Sequence, residues 1–175
     1  VANPLVQPGI TVIPDEAPPD PRAAEAEFKA AYRALQECWA AAKADIEALL
    51  METPALNRRS YSTKSIPAWV ELMDAYLRPV SPHPVLPDKF EKFTPTHLKK
   101  GTKKNCSPPV HPFFEACGAF KEAHKTLLSI YERRLIHLKR SLFAFAGEQV
   151  RQRMRDANTQ SFDDLLRNLS DALKG

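Results

Sequence analysis

The sequence predicts an all-α fold: a long antiparallel helical hairpin with shorter helices and a proline-rich, partly irregular middle segment. Apolar residues follow a heptad pattern over 28–49 and again over 128–145, as in two long helices that pack against each other. No segment alternates apolar and polar residues over the length of a strand. Because the chain has 16 prolines and 5 glycines, we expect stiff connections between the helices.

The size and composition indicate one globular domain without a membrane span. The 175 residues are 43% hydrophobic and 26% charged, which is ordinary for a globular protein. The sequence contains no run of about 20 apolar residues and does not begin with a signal peptide. The three cysteines form no CxxC pair, which is typical of a reducing compartment. We therefore expect a cytoplasmic protein.

The first part of the chain predicts an extended lead-in followed by a long helix. Residues 1–19 contain five prolines and no helical period. Asp20 is suited to the N-cap and Pro21 to the first helical position, so we expect a helix over 21–51. Its apolar stripe consists of Phe28, Tyr32, Leu35, Trp39, Ala42, Ile46 and Leu49.

The middle of the chain predicts a short helix and then an irregular segment. A polar loop over 53–65 precedes an amphipathic helix in which Pro67 lies in the first turn and which Pro79 ends. Eight prolines lie in 79–112, where we expect one or two helical turns. Long segments of this kind in compact domains are more often functional than not.

The last part of the chain predicts three helices. A short helix begins after Pro112, and a long helix follows over 122–156. Ser161 is the expected N-cap of a final amphipathic helix, with Asp164 in its first turn. The apolar stripe of the long helix consists of Leu128, Tyr131, Leu135, Leu138, Leu142 and Phe145. We expect the two long helices to pack antiparallel through Leu35, Trp39, Ile46, Leu128, Leu135 and Leu142.

Positive charge is concentrated in two segments. Residues 88–104 carry six lysines and two acidic residues, so this segment accounts for the whole +4 charge of the chain. Residues 132–155 carry seven basic and two acidic residues. Such segments suit a polyanion, and they are also common on ordinary solvated surfaces. The candidate DNA-binding residues are Lys99, Lys100, Lys103, Lys104, Arg133, Arg134, Lys139 and Arg140.

No catalytic or metal-binding motif is recognisable in the sequence. The five glycines are too far apart to build a P-loop or a GxGxxG turn. The histidines and cysteines of 97–124 lack zinc-finger and HExxH spacing, so they predict loop histidines and a core cysteine. Asp163 and Asp164 are adjacent carboxylates. Because successive side chains of a helix diverge by about 100°, these two do not converge on one metal ion. We expect no catalytic residue, metal ion or cofactor in this chain.

One segment near the end of the chain resembles a known family. Gln160-Ser161-Phe162-Asp163-Asp164-Leu165-Leu166 resembles the segment before the Walker B strand of superfamily 1 DNA helicases. It looks most like the RecB-type helicase-nucleases, the beta subunits of exodeoxyribonuclease V. The motif residues are Phe162, Asp163, Asp164 and Leu165. Similar order and spacing extend over nearly the whole chain, notably at 56–59, 64–69, 86–93 and 111–116.

This resemblance implies an accessory helical domain that is inserted into the first motor domain of a longer enzyme. Residues 1–19 would then be a lead-in, 20–158 the arm domain and 159–175 the beginning of the return into the motor domain. The full-length bacterial enzyme would use ATP and Mg²⁺ as a helicase and exodeoxyribonuclease that processes double-strand breaks, in complex with gamma and alpha subunits. The ATP and nuclease sites would lie outside this chain. We expect the domain itself to grip double-stranded DNA ahead of the fork.

Two other functions are compatible with the same residues. A helical protein-interaction arm would use the apolar stripes for subunit assembly, while the basic segment would only be solvated. A free-standing coiled-coil adaptor would use the stripes alone. An acidic motif similar to DEFQDT, encoded soon after residue 175, would exclude the adaptor.

Overall fold

The computed structural model describes residues 17–157, 159 and 162–173, and every regular element in this part of the chain is helical. Besides a 3-10 helix over Phe90–Phe93, the elements are α1 Arg22–Glu52, α2 Ile66–Leu77, α3 Pro95–Gly101, α4 Pro112–Asp156 and α5 Phe162–Ala172. Extended backbone of the described residues pairs at one isolated antiparallel bridge, between Leu56 and Thr102. The predicted all-α fold is confirmed.

The helices differ from the predicted ones at two places. The short helix after Pro112 and the long helix over 122–156 form one continuous helix, α4, because no proline separates them. Helix α1 has a kink at Ala42, where φ is −139° and ψ is 20°. Residues 1–16 of the predicted lead-in and the predicted N-cap Ser161 lie outside the described residues.

Contacts divide the chain into two compact units, and the boundary between them lies within α4. Asp20–Ile130 form one unit, and the described residues from Tyr131 onward belong to the other. The domain boundaries that the sequence suggests, between residues 19 and 20 and between residues 158 and 159, stay predictions.

Helix α1 begins at Arg22, one residue later than the sequence predicts, and Pro21 rather than Asp20 is its N-cap. The carboxylate of Asp20 accepts a hydrogen bond from the amide of Arg22 at 3.1 Å. The carbonyl of Pro21 accepts the first backbone hydrogen bond, from the amide of Glu25 at 2.8 Å. The Asp20 side chain thereby satisfies an amide that has no partner within the helix.

Aromatic side chains pack α1 antiparallel against the first part of α4. The rings of Phe28 and Phe120 stack with centroids 4.9 Å apart, and those of Trp39 and Phe113 lie 5.0 Å apart. Residue numbers therefore rise along α1 as they fall along α4. The buried face of α4 in this unit consists of Phe113, Phe114, Cys117, Phe120, Ala123 and Leu127.

The prediction of which α4 residues contact α1 is wrong, because the predicted leucines do not belong to the buried face of α4. The three leucines of the prediction are 42%, 51% and 63% exposed, respectively: Leu128, Leu135 and Leu142. The α1 residues of the same prediction are buried: Leu35, Trp39 and Ile46. Because Phe28 lies opposite Phe120 and α1 begins at Arg22, the face of α4 that packs on α1 ends near Leu127, which is the last buried residue of α4 in this unit.

Two polar side chains of α1 fix the end of α2. The buried Tyr32 hydroxyl lies 2.9 Å from the carbonyl oxygens of both Tyr76 and Pro79, which share its one proton as acceptors. The side-chain amide of Gln36 donates to the carbonyls of Leu77 at 2.7 Å and Pro79 at 2.9 Å. Carbonyls at the end of a helix have no partner within it, so these contacts both satisfy α2 and hold it against α1.

We expect Leu35→Ala to lower the free energy of unfolding by about 2–5 kcal/mol, because it removes a fully buried side chain. The matched change Leu135→Ala removes the same atoms from an exposed position, so its effect should stay within about 0.5 kcal/mol. Urea unfolding followed by circular dichroism measures both. Equal losses in the two variants would contradict the exposure of Leu135.

Candidate nucleic-acid interface

The four lysines of the first basic segment lie at the end of α3 and just after it. Lys99 and Lys100 occupy the last turn of the helix, where positive charge interacts favourably with the negative end of the helix dipole. Lys103 and Lys104 follow within three residues of its end. All four are exposed, and none forms an ion pair with a carboxylate of the described residues.

The backbone of this lysine segment is fixed on the α1–α2 connection. The amide of Asn57 donates to the carbonyl of Gly101 at 2.8 Å, and the amide of Lys103 donates to the carbonyl of Ala55 at 2.8 Å. Gly101 is buried against the ring of Tyr61, and a Cβ atom at this position would clash with that ring. A glycine is needed here because of this close approach. The lysines therefore lie on an anchored segment.

Lys92 of the same basic segment has a structural role. Its ammonium donates to the carbonyl of Ser60 at 3.2 Å. It also lies 5.2 Å from the ring centroid of Tyr61 and 5.5 Å from that of Trp69, in cation–π contact. Burial, together with the positive charge of Lys89, lowers the pKa of Lys92. This half-buried lysine is thus occupied by contacts within the protein, unlike the four exposed ones.

Arg58 closes the end of α1. Its guanidinium donates to the carbonyls of Leu50 at 2.8 Å, Met51 at 2.7 Å and Thr53 at 2.9 Å. Helix α1 has no basic residue in its own last turn, so Arg58 supplies both the hydrogen bonds and the positive charge that a helix C-terminus favours. The next residue, Arg59, is exposed.

Glu91 forms an ion pair with Lys121 of α4 and also lies near His97 of α3. Its carboxylate lies 2.7 Å from the ammonium of Lys121 and 3.9 Å from the imidazole of His97. The hydrogen bond and charge of Lys121 are the largest causes that lower the pKa of Glu91, and Lys100 contributes to the same shift. Burial and the nearby Lys92 lower the pKa of His97, which Glu91 opposes.

The second basic set lies on the part of α4 that belongs to the other unit. Arg133, Arg134 and Lys139 are exposed, and Arg140 is half-buried. At about 100° per residue, Arg133 and Arg140 share a helix face, whereas Arg134 and Lys139 lie on two other faces. These four side chains therefore do not form one row along α4.

The predicted family motif lies at the beginning of α5. Phe162 and Leu165 are 73% and 52% exposed. The side chains of Asp163 and Asp164 lie outside the described part of the chain. In that described part, no three His, Cys, Asp or Glu side chains are grouped as metal ligands would be.

No protein-family model matches the chain, and no curated protein matches it significantly. No helix of the described residues is both long and apolar enough to cross a membrane. The resemblance to RecB-type enzymes therefore stays a prediction from the sequence.

We expect Arg58→Ala to lower the free energy of unfolding by about 1–3 kcal/mol, because it leaves carbonyls at the end of α1 without their charged donor. The neighbouring change Arg59→Ala removes an exposed side chain, and its effect should stay within about 0.5 kcal/mol. Thermal unfolding of the two variants side by side measures the difference. If Arg58→Ala were as stable as the wild-type protein, Arg58 would not cap α1.

The lowered pKa of His97 predicts a loss of stability in mild acid. The usual pKa of a histidine, 6.5, applies to His97 in the unfolded chain, and the folded protein has a lower one. As the pH falls below 6.5, the unfolded chain therefore takes up a proton before the folded protein does. The free energy of unfolding falls until the pH has passed the folded pKa. Glu91, whose pKa is also lowered, adds a further loss at lower pH. We expect the melting temperature to fall between about pH 7.5 and pH 5.5, and to fall less in His97→Gln. Identical pH profiles for the two proteins would exclude His97 as the cause.

Proposed function

We propose that this chain is the accessory helical domain of a RecB-type helicase-nuclease and that it grips double-stranded DNA through Lys99, Lys100, Lys103 and Lys104. One observation carries the proposal: four exposed ammonium groups lie within six consecutive residues whose backbone is anchored to the core. Lysine contacts phosphates without reading the bases. Such contacts suit an enzyme that moves along DNA of any sequence.

The proposal assigns the chemistry of the enzyme to parts outside this chain. The five glycines do not form a phosphate-binding loop, and no metal-ligand group is present among the described residues. The proposal therefore places the ATP and Mg²⁺ sites of the full-length enzyme outside this chain. ATP hydrolysis, strand cleavage and the contacts to the gamma and alpha subunits would belong to the full-length enzyme in the bacterial cytoplasm.

The proposal can be tested with two double variants of this chain, Lys99→Ala with Lys100→Ala and Lys103→Ala with Lys104→Ala. We expect each to bind a fluorescent duplex more weakly regardless of its sequence. We also expect each to reduce the log–log salt dependence of the binding constant by about 2, because each phosphate contact on B-form DNA contributes about 0.9. Fluorescence anisotropy over a range of salt concentrations measures both quantities.

A matched control removes two exposed lysines elsewhere in the same unit. Lys29→Ala with Lys125→Ala removes the same net charge, near the contact of Phe28 with His124 and far from the end of α1. This variant should keep the wild-type salt dependence. If all three double variants behaved alike, net charge rather than a defined surface would determine binding, and the lysine assignment would be wrong.

The exposed stripe of α4 favours a second candidate function, the protein-interaction arm. Its apolar residues from Leu135 onward are 51–64% exposed: Leu135, Leu138, Leu142 and Phe145. Apolar patches of this kind often mark contacts with other proteins. An unchanged salt dependence in both lysine variants would favour this function over DNA binding.

A further inference from the structure

We infer that Arg59 belongs to the same DNA-binding surface as the four lysines. The two-segment surface, as we call it, consists of Arg59 from the α1–α2 connection and Lys99, Lys100, Lys103 and Lys104 from the end of α3. The inference rests on the proposed function, and its ligand is the phosphodiester backbone of double-stranded DNA. The position of Arg59 in a polar loop far from the lysines in sequence gives no indication of this role.

Backbone pairing brings the two segments together. The hydrogen bond from the amide of Asn57 to the carbonyl of Gly101 is 2.8 Å long. Arg59 is two residues from Asn57, so its Cα lies at most about 7 Å from the Cα of that residue. All four lysines lie within three residues of Gly101. The five basic side chains therefore originate close to one pair of hydrogen-bonded residues.

A defined turn holds Arg59 in place. The side-chain carbonyl of Asn57 accepts a hydrogen bond from the amide of Arg59 at 3.0 Å, which is an Asx turn. The backbone carbonyl of Asn57 accepts from the amides of Ser60 and Tyr61, each at 2.9 Å. Because Tyr61 is fully buried, the turn that carries Arg59 is attached directly to the core.

The two adjacent arginines have different tasks. Arg58 is occupied by the carbonyls at the end of α1. Arg59 is exposed and forms no ion pair with a residue that the structure describes. Its guanidinium is therefore available, and its planar geometry suits two hydrogen bonds to one phosphate. The Glu91 carboxylate beside α3 is paired with Lys121, which weakens its repulsion of an anion.

The inference can be tested with Arg59→Ala in the whole chain, using a fluorescent duplex of arbitrary sequence as the probe. We expect weaker binding and a salt dependence reduced by about 0.9, since one phosphate contact is lost. Arg59→Lys should restore most of the salt dependence. Arg33→Ala is the matched control, because Arg33 is an exposed arginine about 30 Å from the end of α1 at 1.5 Å per helical residue. Circular dichroism establishes that each variant is folded.

The outcomes separate this inference from the proposed function. A reduced salt dependence in Arg59→Ala and an unchanged one in Arg33→Ala support the two-segment surface. A wild-type salt dependence in Arg59→Ala, together with a reduced one in the lysine variants, overturns the inference and leaves the proposed function intact. Equal effects of Arg59→Ala and Arg33→Ala also overturn it. Wild-type behaviour of the lysine variants and of Arg59→Ala alike overturns both.

Discussion

The burial of one aromatic ring, that of Tyr61, determines how the middle of this chain is arranged. Gly101 packs directly on the ring, the ammonium of Lys92 lies above it, and its hydroxyl donates to the carbonyl of Lys92 at 2.8 Å. Burial raises the pKa of Tyr61 further above neutral pH, where a tyrosine hydroxyl is already protonated and can donate. The Tyr61 side chain thus contacts two separate parts of the proline-rich segment, at Lys92 and at Gly101, and adds to the backbone hydrogen bonds that hold this segment on the α1–α2 connection.

The parts of the fold that follow from local sequence were predictable. The heptad pattern of α1 identified a buried stripe that includes Leu35, and Asp20 and Pro21 marked its beginning to within one residue. The equivalent pattern of α4 identified a helix but not its buried face, because periodicity carries no information about register. Register here depends on which aromatic residues meet, such as Phe28 and Phe120, and these belong to segments far apart in sequence.

The candidate site was predictable only in part, because the sequence shows which residues are charged but not which of them form contacts. A run of lysines is recognisable in the sequence as a concentration of positive charge, so four of them could be named as candidate DNA-binding residues. All four are exposed in the structure: Lys99, Lys100, Lys103 and Lys104. Arg58 and Arg59 look equivalent in the sequence, and only the carbonyls at the end of α1 distinguish them. Lys92 looked like another surface lysine, but burial and two aromatic rings give it a different role.

The residues that anchor the segment 99–104 are not the residues that carry its positive charge. Leu98, Gly101 and Thr102 provide the contacts that hold it: a buried side chain, a close approach to a ring and a backbone bridge. The four lysine side chains between and beyond them contribute no ion pair to this anchoring within the described residues. Evolution can therefore adjust the electrostatic potential of this surface one residue at a time while the architecture beneath it is kept, so that affinity can change at little cost in stability.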